Sequence, residues 1–201
     1  MLSAQSPAGE RPRGRPGATS HAEIEQAAFS LFAEHGFDQT TLDAIARSVG
    51  VGKRTLFRYF DSKNDIPWGQ FDRTLDTFRS TLRAMPDDVP LWQAVHRAVL
   101  SFNTYPENAS PPHRERMLLI LRTPALQAHS VLRYEQWRAV IAEYVAERTG
   151  RDVADLLPQT VGQVSLALAL AAYDRWLADE TASLPDLLDE AMTGLRAHLA
   201  P

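Results

Sequence analysis

Lys53, Arg54, Thr55, Phe57, Arg58, Tyr59 and Lys63 crowd one short stretch of this chain. These side chains suit binding to DNA better than transformation of a substrate. A guanidinium such as that of Arg54 can donate two hydrogen bonds to guanine O6 and N7, a contact worth about 1–3 kcal/mol in discrimination. Lys53 can reach a base edge or a phosphate, and Phe57 can press on a thymine methyl group. Thr55, Tyr59 and Lys63 suit phosphate oxygens, which position a protein on the duplex without reading its sequence. A solvated basic helix face would carry the same charges, so the elements that hold these residues must decide between the two readings.

Those elements are legible. The segment TTLDAIARSVGVGKRTLFRYFDSK, residues 40–63, reads as two short helices joined by a tight turn. That is the form of a helix-turn-helix unit, whose second helix lies in the DNA major groove. Upstream, Ser20 followed by Glu23 fits a capping box. Ile24, Ala27, Ala28, Leu31 and Phe32 then make one apolar helical face that Gly36 ends. Thr40 with Asp43 suits the next N-terminus, Leu42, Ile45, Ala46 and Val49 its buried side, and Gly50 its close. Gly52 caps the third helix, and Leu56 and Phe60 turn inward to orient it.

The remaining chain continues in helical periodicity. A fourth helix is predicted from Asp61 or Ser62 to Met85, and a fifth from Leu91 to Tyr105. The stretch PENASPP reads as a loop. Further helices are predicted over 113–122, 125–149, 159–178 and 184–199. The expected fold class is all-α, with about nine helices. Three parts are expected: a flexible basic arm over 1–18, a helix-turn-helix DNA-binding domain over 19–66, and a ligand-binding and dimerisation domain over 67–201.

In the arm, Pro12-Arg13-Gly14-Arg15-Pro16 has the form of an AT-hook core. Arg13 and Arg15 are suited to the negative potential of narrow A·T-rich minor grooves. The formal net charge of −4 argues at first against a nucleic-acid binder. Residues 1–63 nevertheless carry a net +1 and the remainder −5, and local basic clusters set phosphate attraction. With no cysteine there is no disulfide framework and no thiolate metal site. The N-terminus lacks the apolar core of a signal peptide, and no run of about 18 apolar residues is evident, so a cytoplasmic location without membrane contact is expected.

The stretches AAFSLFAEHGF, TTLDAIARSVGVGKRTLFRYF and DSKNDI resemble the TetR family of bacterial transcriptional regulators. The resemblance implies that Thr41 caps the second helix at a phosphate and that Lys53, Arg54, Thr55, Phe57, Tyr59 and Lys63 face DNA. Gly52 stands where the family commonly has a serine cap, a change that costs only a few tenths of a kcal/mol. Arg54 stands in place of a common glycine and adds a base contact. Phe57 replaces a common tyrosine and lacks the hydroxyl that would bond one phosphate. Within the family, RPGATSHAEIEQAAFSLFAEHGFDQTTLDAIA, TLFRYFDSKNDIPWGQFD and HRERMLLILRTPALQAHSVLRYEQWRAVIAEYVAERTG are similar to the mycofactocin-system regulators. This implies a repressor of genes for a peptide-derived redox cofactor that answers to a long-chain acyl-CoA, with no cofactor or metal of its own.

The family likeness also implies a dimer through the last two helices. Val161, Val164, Leu168, Ala171 and Ala172 supply one face, and Leu187, Leu188, Ala191 and Leu195 another. A two-fold dimer sets its recognition helices roughly 34–36 Å apart over a palindromic operator. The middle of the chain carries many large apolar side chains, and Phe71, Phe78, Trp92, Phe102, Met117, Leu121, Tyr134 and Trp137 are the expected lining of an effector pocket. Arg97, Arg114, Arg116, Arg122, Arg133 and Arg138 are candidates to meet the phosphates of an acyl-CoA. No HExxH, GxSxG or glycine-rich phosphate loop is present, so an enzyme is not expected. An architectural A·T-rich DNA binder and a ligand-dependent activator are the alternative readings.

Overall fold

The structure is a computed structural model that describes residues 19–199 other than residue 107. The arm with Arg13 and Arg15 lies outside the described residues. Among the described residues are nine α-helices and no strand: α1 His21–His35, α2 Leu42–Ser48, α3 Lys53–Leu56, α4 Phe71–Arg83, α5 Leu91–Phe102, α6 His113–Arg122, α7 Pro124–Thr149, α8 Leu156–Ala178 and α9 Leu184–Leu199. A 3-10 turn, Lys63–Trp68, precedes α4. The fold is all-α, as the periodicity implies.

The capping box forms: the Ser20 hydroxyl accepts from Glu23 N, and the Glu23 carboxylate accepts from Ser20 N. The next cap is the residue the family resemblance implies and not Thr40, which local spacing suggested. Thr41 caps α2 by accepting from Ala44 N. Thr40 instead turns inward, its hydroxyl directed at the carbonyls of Leu31 and Gly36. The long fourth helix predicted from Asp61 or Ser62 is broken in two. Pro67 has no N–H to give a helix, and Gly69 follows at φ 58, so the chain turns before α4 begins. The fifth helix stops at Phe102, where the Asn103 amide caps Val99 O. α8 begins ahead of Pro158, which the first turn of a helix tolerates.

Two apolar clusters organise the molecule. One joins Ile24, Ala28, Phe32, Ile45, Leu56 and Phe60 of the α1–α3 unit with Ile66 and with Leu126 of α7. The other is built by α4 to α9 around Phe78, Val99, Ile120, Trp137, Ile141 and Leu188. α8 is, by length and composition, apolar enough to cross a membrane, contrary to the expectation that no such segment exists. Its buried residues, among them Leu166, Ala169, Ala172 and Tyr173, belong to the second cluster.

α7 and α8 approach closely at Gly162, where a Cβ would lie 2.9 Å from the Arg138 carbonyl oxygen. Gly162→Ala is therefore expected to lower the melting temperature. Overpacking costs about 1–3 kcal/mol, against a helix-propensity gain of about 1 kcal/mol. Thermal unfolding followed by circular dichroism checks this, and an unchanged or raised midpoint contradicts it.

Candidate DNA-reading surface and effector cavity

The α1–α3 unit holds its reading surface by burying the opposite side. Ile24, Ala28, Ile45 and Leu56 are fully buried and Phe60 nearly so, which orients the short α3. Lys53, Arg54, Phe57 and Arg58 are left exposed. Phe57 leaves a large apolar ring 45% in water beside these cations, where it is free to meet a thymine methyl group. Lys53 Nζ lies 3.3 Å from Asp43 Oδ2, and both side chains are about half exposed. Such a surface pair is worth little, so Lys53 can exchange it for a phosphate. The contact bridges the first turns of α2 and α3, which buried Ile45, Ala46 and Leu56 hold together. Thr41 is exposed at the N-terminus of α2, where the backbone N–H groups and helix dipole favour an anion.

Two expected phosphate contacts are spoken for within the protein. Lys63 Nζ donates to the carbonyls of Phe37 at 2.6 Å, Asp38 at 3.3 Å and Thr40 at 2.9 Å. All three ammonium protons therefore tie the α1–α2 loop to the start of the 3-10 turn. Burial lowers the pKa of this ammonium, with Asp38 opposing. Tyr59 donates its hydroxyl proton to the Thr19 carbonyl, and its ring meets His21 edge-on at 4.9 Å. Both residues position the reading surface, and neither has a proton free for a phosphate. Thr55 is half-buried on α3.

Between the 3-10 turn and α4 to α8 lies a cavity of about 280 Å³. Phe71, Phe102, Met117, Tyr134 and Trp137 line it, as expected, together with Trp68. Three expected residues do not. Phe78 lies farther along α4 and packs behind the wall, stacked on Trp137 at 5.4 Å. Leu121 falls outside the face that α6 turns inward through Met117 and Ile120. Trp92 sits at the opposite end of α5 from Phe102, 42% exposed, with the Arg196 guanidinium 3.6 Å from its ring centre.

Polar groups complete the wall, and of these sequence reading singled out only Arg116. Glu25 reaches the cavity from α1, and its Oε2 accepts from Arg116 Nη2 at 2.6 Å. Arg116 Nη1 donates to Pro67 O at 2.6 Å. A Cβ on Gly69 would come within 3.0–3.1 Å of these two side chains, at a φ of 58 that glycine alone adopts readily. Tyr173 donates its proton to Asn103 Oδ1 at 2.8 Å, so its 2.8 Å contact with His113 Nε2 must be one in which the histidine donates. His113 Nδ1 is thereby left a bare acceptor without a partner. Burial first, and Arg116 second, hold the His113 pKa down at about 3, so the ring is neutral at physiological pH.

Of the arginines considered for anion contact, Arg116 alone is on the cavity wall, and Glu25 neutralises it. Arg114 donates to Trp176 O and Arg138 to Gln163, and Arg122 faces Asp174 at 3.5 Å. Arg133 joins His129 and Ser62 on Asp65, binding the 3-10 turn to α7. Burial pushes the Asp65 carboxyl up, but hydrogen bonds from Ser62, Arg133 and His129 outweigh it and hold the pKa below the ordinary value.

Comparison with known proteins places this geometry. Residues 24–66 match the profile of bacterial regulatory proteins of the tetR family, and residues 89–200 match the MftR C-terminal domain. The chain is 44% identical to a Mycobacterium tuberculosis protein named as the mycofactocin biosynthesis transcriptional regulator MftR, over 92% of this chain and 94% of that one. It is 28% identical to the HTH-type transcriptional regulator TcmR of Streptomyces glaucescens, over 96% of this chain and 90% of the relative. Among solved structures, the fatty acid degradation regulator FadR of Bacillus halodurans aligns with a TM-score of 0.64 at 20% identity, covering 89% of this chain and 95% of FadR. SmeT, a multidrug efflux pump repressor of Stenotrophomonas maltophilia, aligns with a TM-score of 0.60 at 19% identity and 92% coverage of both chains. These structural likenesses bear on the fold alone. With an exposed basic helix over an apolar cavity and both family domains matched, the chain belongs to the TetR family of bacterial transcriptional regulators, in the branch that carries the MftR C-terminal domain.

Proposed function

We propose that this protein is a dimeric repressor of mycofactocin-related genes that releases its palindromic operator when an apolar effector, a long-chain acyl-CoA, fills the cavity. One observation carries the reading: Glu25, on the first helix of the α1–α3 unit, is also part of the cavity wall. A ligand that displaces the Glu25–Arg116 pair or the adjoining 3-10 turn moves the reading helices directly. It shifts the equilibrium only by its preference for the released form. The acyl chain suits the apolar walls, and because Arg116 is already neutralised, the coenzyme phosphates stay outside.

In this reading residues 19–66 hold the duplex and 67–201 hold ligand and partner. Arg54 and Phe57 meet base edges, Thr41 and Lys53 meet phosphates, and Arg13 and Arg15 follow the minor groove. The dimer uses the uncovered faces of α8 and α9, where Val164 and Ala171 are exposed and Leu168, Leu187, Ala191 and Leu195 are half-buried. Ala172 and Leu188, also expected on those faces, turn into the protein's own core at 3% and 1% exposure. The protein acts in the cytoplasm, beside the chromosome.

The test is a fluorescence-anisotropy titration on an inverted repeat found beside mycofactocin genes, with and without oleoyl-CoA. Saturating oleoyl-CoA is expected to weaken operator binding at least about tenfold, in the usual range of allosteric coupling. Arg54→Ala is expected to cost about 1–3 kcal/mol on the operator and far less on unrelated DNA. Unchanged operator affinity at saturating ligand rejects the effector, and equal loss on every duplex rejects base reading by Arg54.

A further inference from the structure

Among the described residues, the buried side-chain polar atoms without a hydrogen-bond partner are Trp68 Nε1, His96 Nε2, His113 Nδ1 and Tyr134 Oη. His96 Nε2 lies 3.1 Å from an Asp189 oxygen, on the α5–α9 contact. The other three belong to residues that line the cavity, but the atoms themselves are closed to water. A ligand reaches them only after a small rotation of the rings, and the Tyr134 hydroxyl also has the Ser130 side chain beside it. Orphaned polar groups in a protein interior are costly and call for a partner that the protein itself does not supply. Trp68 Nε1 can only donate, His113 Nδ1 as protonated here can only accept, and the Tyr134 hydroxyl can do either.

The charge around them is balanced. Arg116 is the cation on the wall; two of its N–H donors go to Glu25 Oε2 and Pro67 O, and the Glu25 carboxylate offsets its charge. His113 stays neutral because its ring is buried beside Arg116. An ionised carboxylate entering here would lose its hydration, meet the Glu25 carboxylate, and find the one cation on the wall already offset by Glu25. Burial of an unpaired charge on those terms is strongly unfavourable. A neutral group that carries both a donor and an acceptor meets no such penalty.

We infer that the effector anchors inside the cavity through an uncharged group that both donates and accepts hydrogen bonds, an amide or a hydroxyl on an apolar body, and that the site rejects free carboxylates. With the rings turned slightly toward the cavity, the acceptor of that group meets Trp68 Nε1 or the Tyr134 hydroxyl, and its N–H or O–H meets His113 Nδ1. This rests on the reading of the cavity as the effector site and adds the chemistry of what enters it.

Dodecanamide and dodecanoate share an apolar tail and differ in this group. Isothermal titration calorimetry on the full-length protein at mildly alkaline pH is expected to show the amide binding at least about tenfold tighter. Trp68→Phe keeps a smaller aromatic ring and removes the donor; His113→Phe keeps the stack on Tyr105 and removes the acceptor together with the bond to Tyr173. Each is expected to lose about threefold to tenfold in amide affinity, with dodecanoate unaffected and the melting temperature of the Trp68→Phe protein close to that of the parent. Equal or tighter binding of dodecanoate overturns the inference, as does an amide preference that survives both substitutions. An amide that binds as expected but leaves operator affinity unchanged supports the inference on the cavity and counts against the effector reading. If neither compound binds, this inference falls, while the effector reading is judged by the oleoyl-CoA titration.

Discussion

Arg116→Ala is expected to destabilise the protein by about 3–5 kcal/mol, the usual cost of removing one partner from a buried ion pair. The side chains are 18% exposed for Arg116 and 8% for Glu25, so solvent screens the pair little. The substitution leaves the Glu25 carboxylate buried without its cation and removes the donor to Pro67 O. It also strips support from the turn at Gly69, which packs against the same two side chains. Glu25→Gln keeps shape and hydrogen bonding and is expected to cost less. Urea unfolding of the three proteins checks both expectations. A loss of less than about 1 kcal/mol in Arg116→Ala would show the pair to behave like an exposed one. On the proposed function, the same substitution also blunts the response of operator binding to ligand, because the joint between α1 and α6 is gone.

Leu126→Ala is expected to cost about 2–5 kcal/mol, the range for truncating a large aliphatic side chain in a close-packed core. Leu126 is on α7, yet it is fully buried among Ile24, Phe29, Ile45 and Ile66 of the first cluster. The cavity it leaves lies between the α1–α3 unit and the bundle behind it. The DNA-binding unit should therefore loosen first. All four tryptophans lie at or beyond Trp68, so tryptophan fluorescence reports the bundle while far-ultraviolet circular dichroism reports all helices. The expected result is a circular-dichroism loss that begins at lower urea than the fluorescence change. Coincident transitions at the parent midpoint would show that Leu126 carries neither stability nor connection.

Much of the fold and of the reading surface was legible in the sequence because its causes are local. The Ser20–Glu23 box, the Gly52 cap and the apolar spacing of Ile24, Ala28, Ile45 and Leu56 act within a turn or two of helix. The exposure of Lys53, Arg54 and Phe57 follows once Leu56 and Phe60 are buried. The break at Pro67 and Gly69 had a sequence signal in the proline, which helical periodicity alone overlooks.

Other residues carried no such signal. Lys63 reads as a phosphate ligand by type, and only the return of the α1–α2 loop hands its protons to three carbonyls. Phe78, Leu121 and Trp92 have the same apolar character as Phe71, Phe102 and Trp137. Whether each lines the cavity, backs it or faces water depends on how far along its helix it sits and on helical phase.

The sequence by itself determined the all-α class, the DNA-binding segment and the family, since these rest on periodicity, capping and a contiguous motif. Tertiary structure decided where the cavity is and how it meets the reading helices. Glu25 and Arg116 are 91 residues apart, and His113 meets Tyr173 across 60. Such pairs have no periodic or local signature, because their partners are chosen by the packing of whole helices rather than by neighbours in the chain.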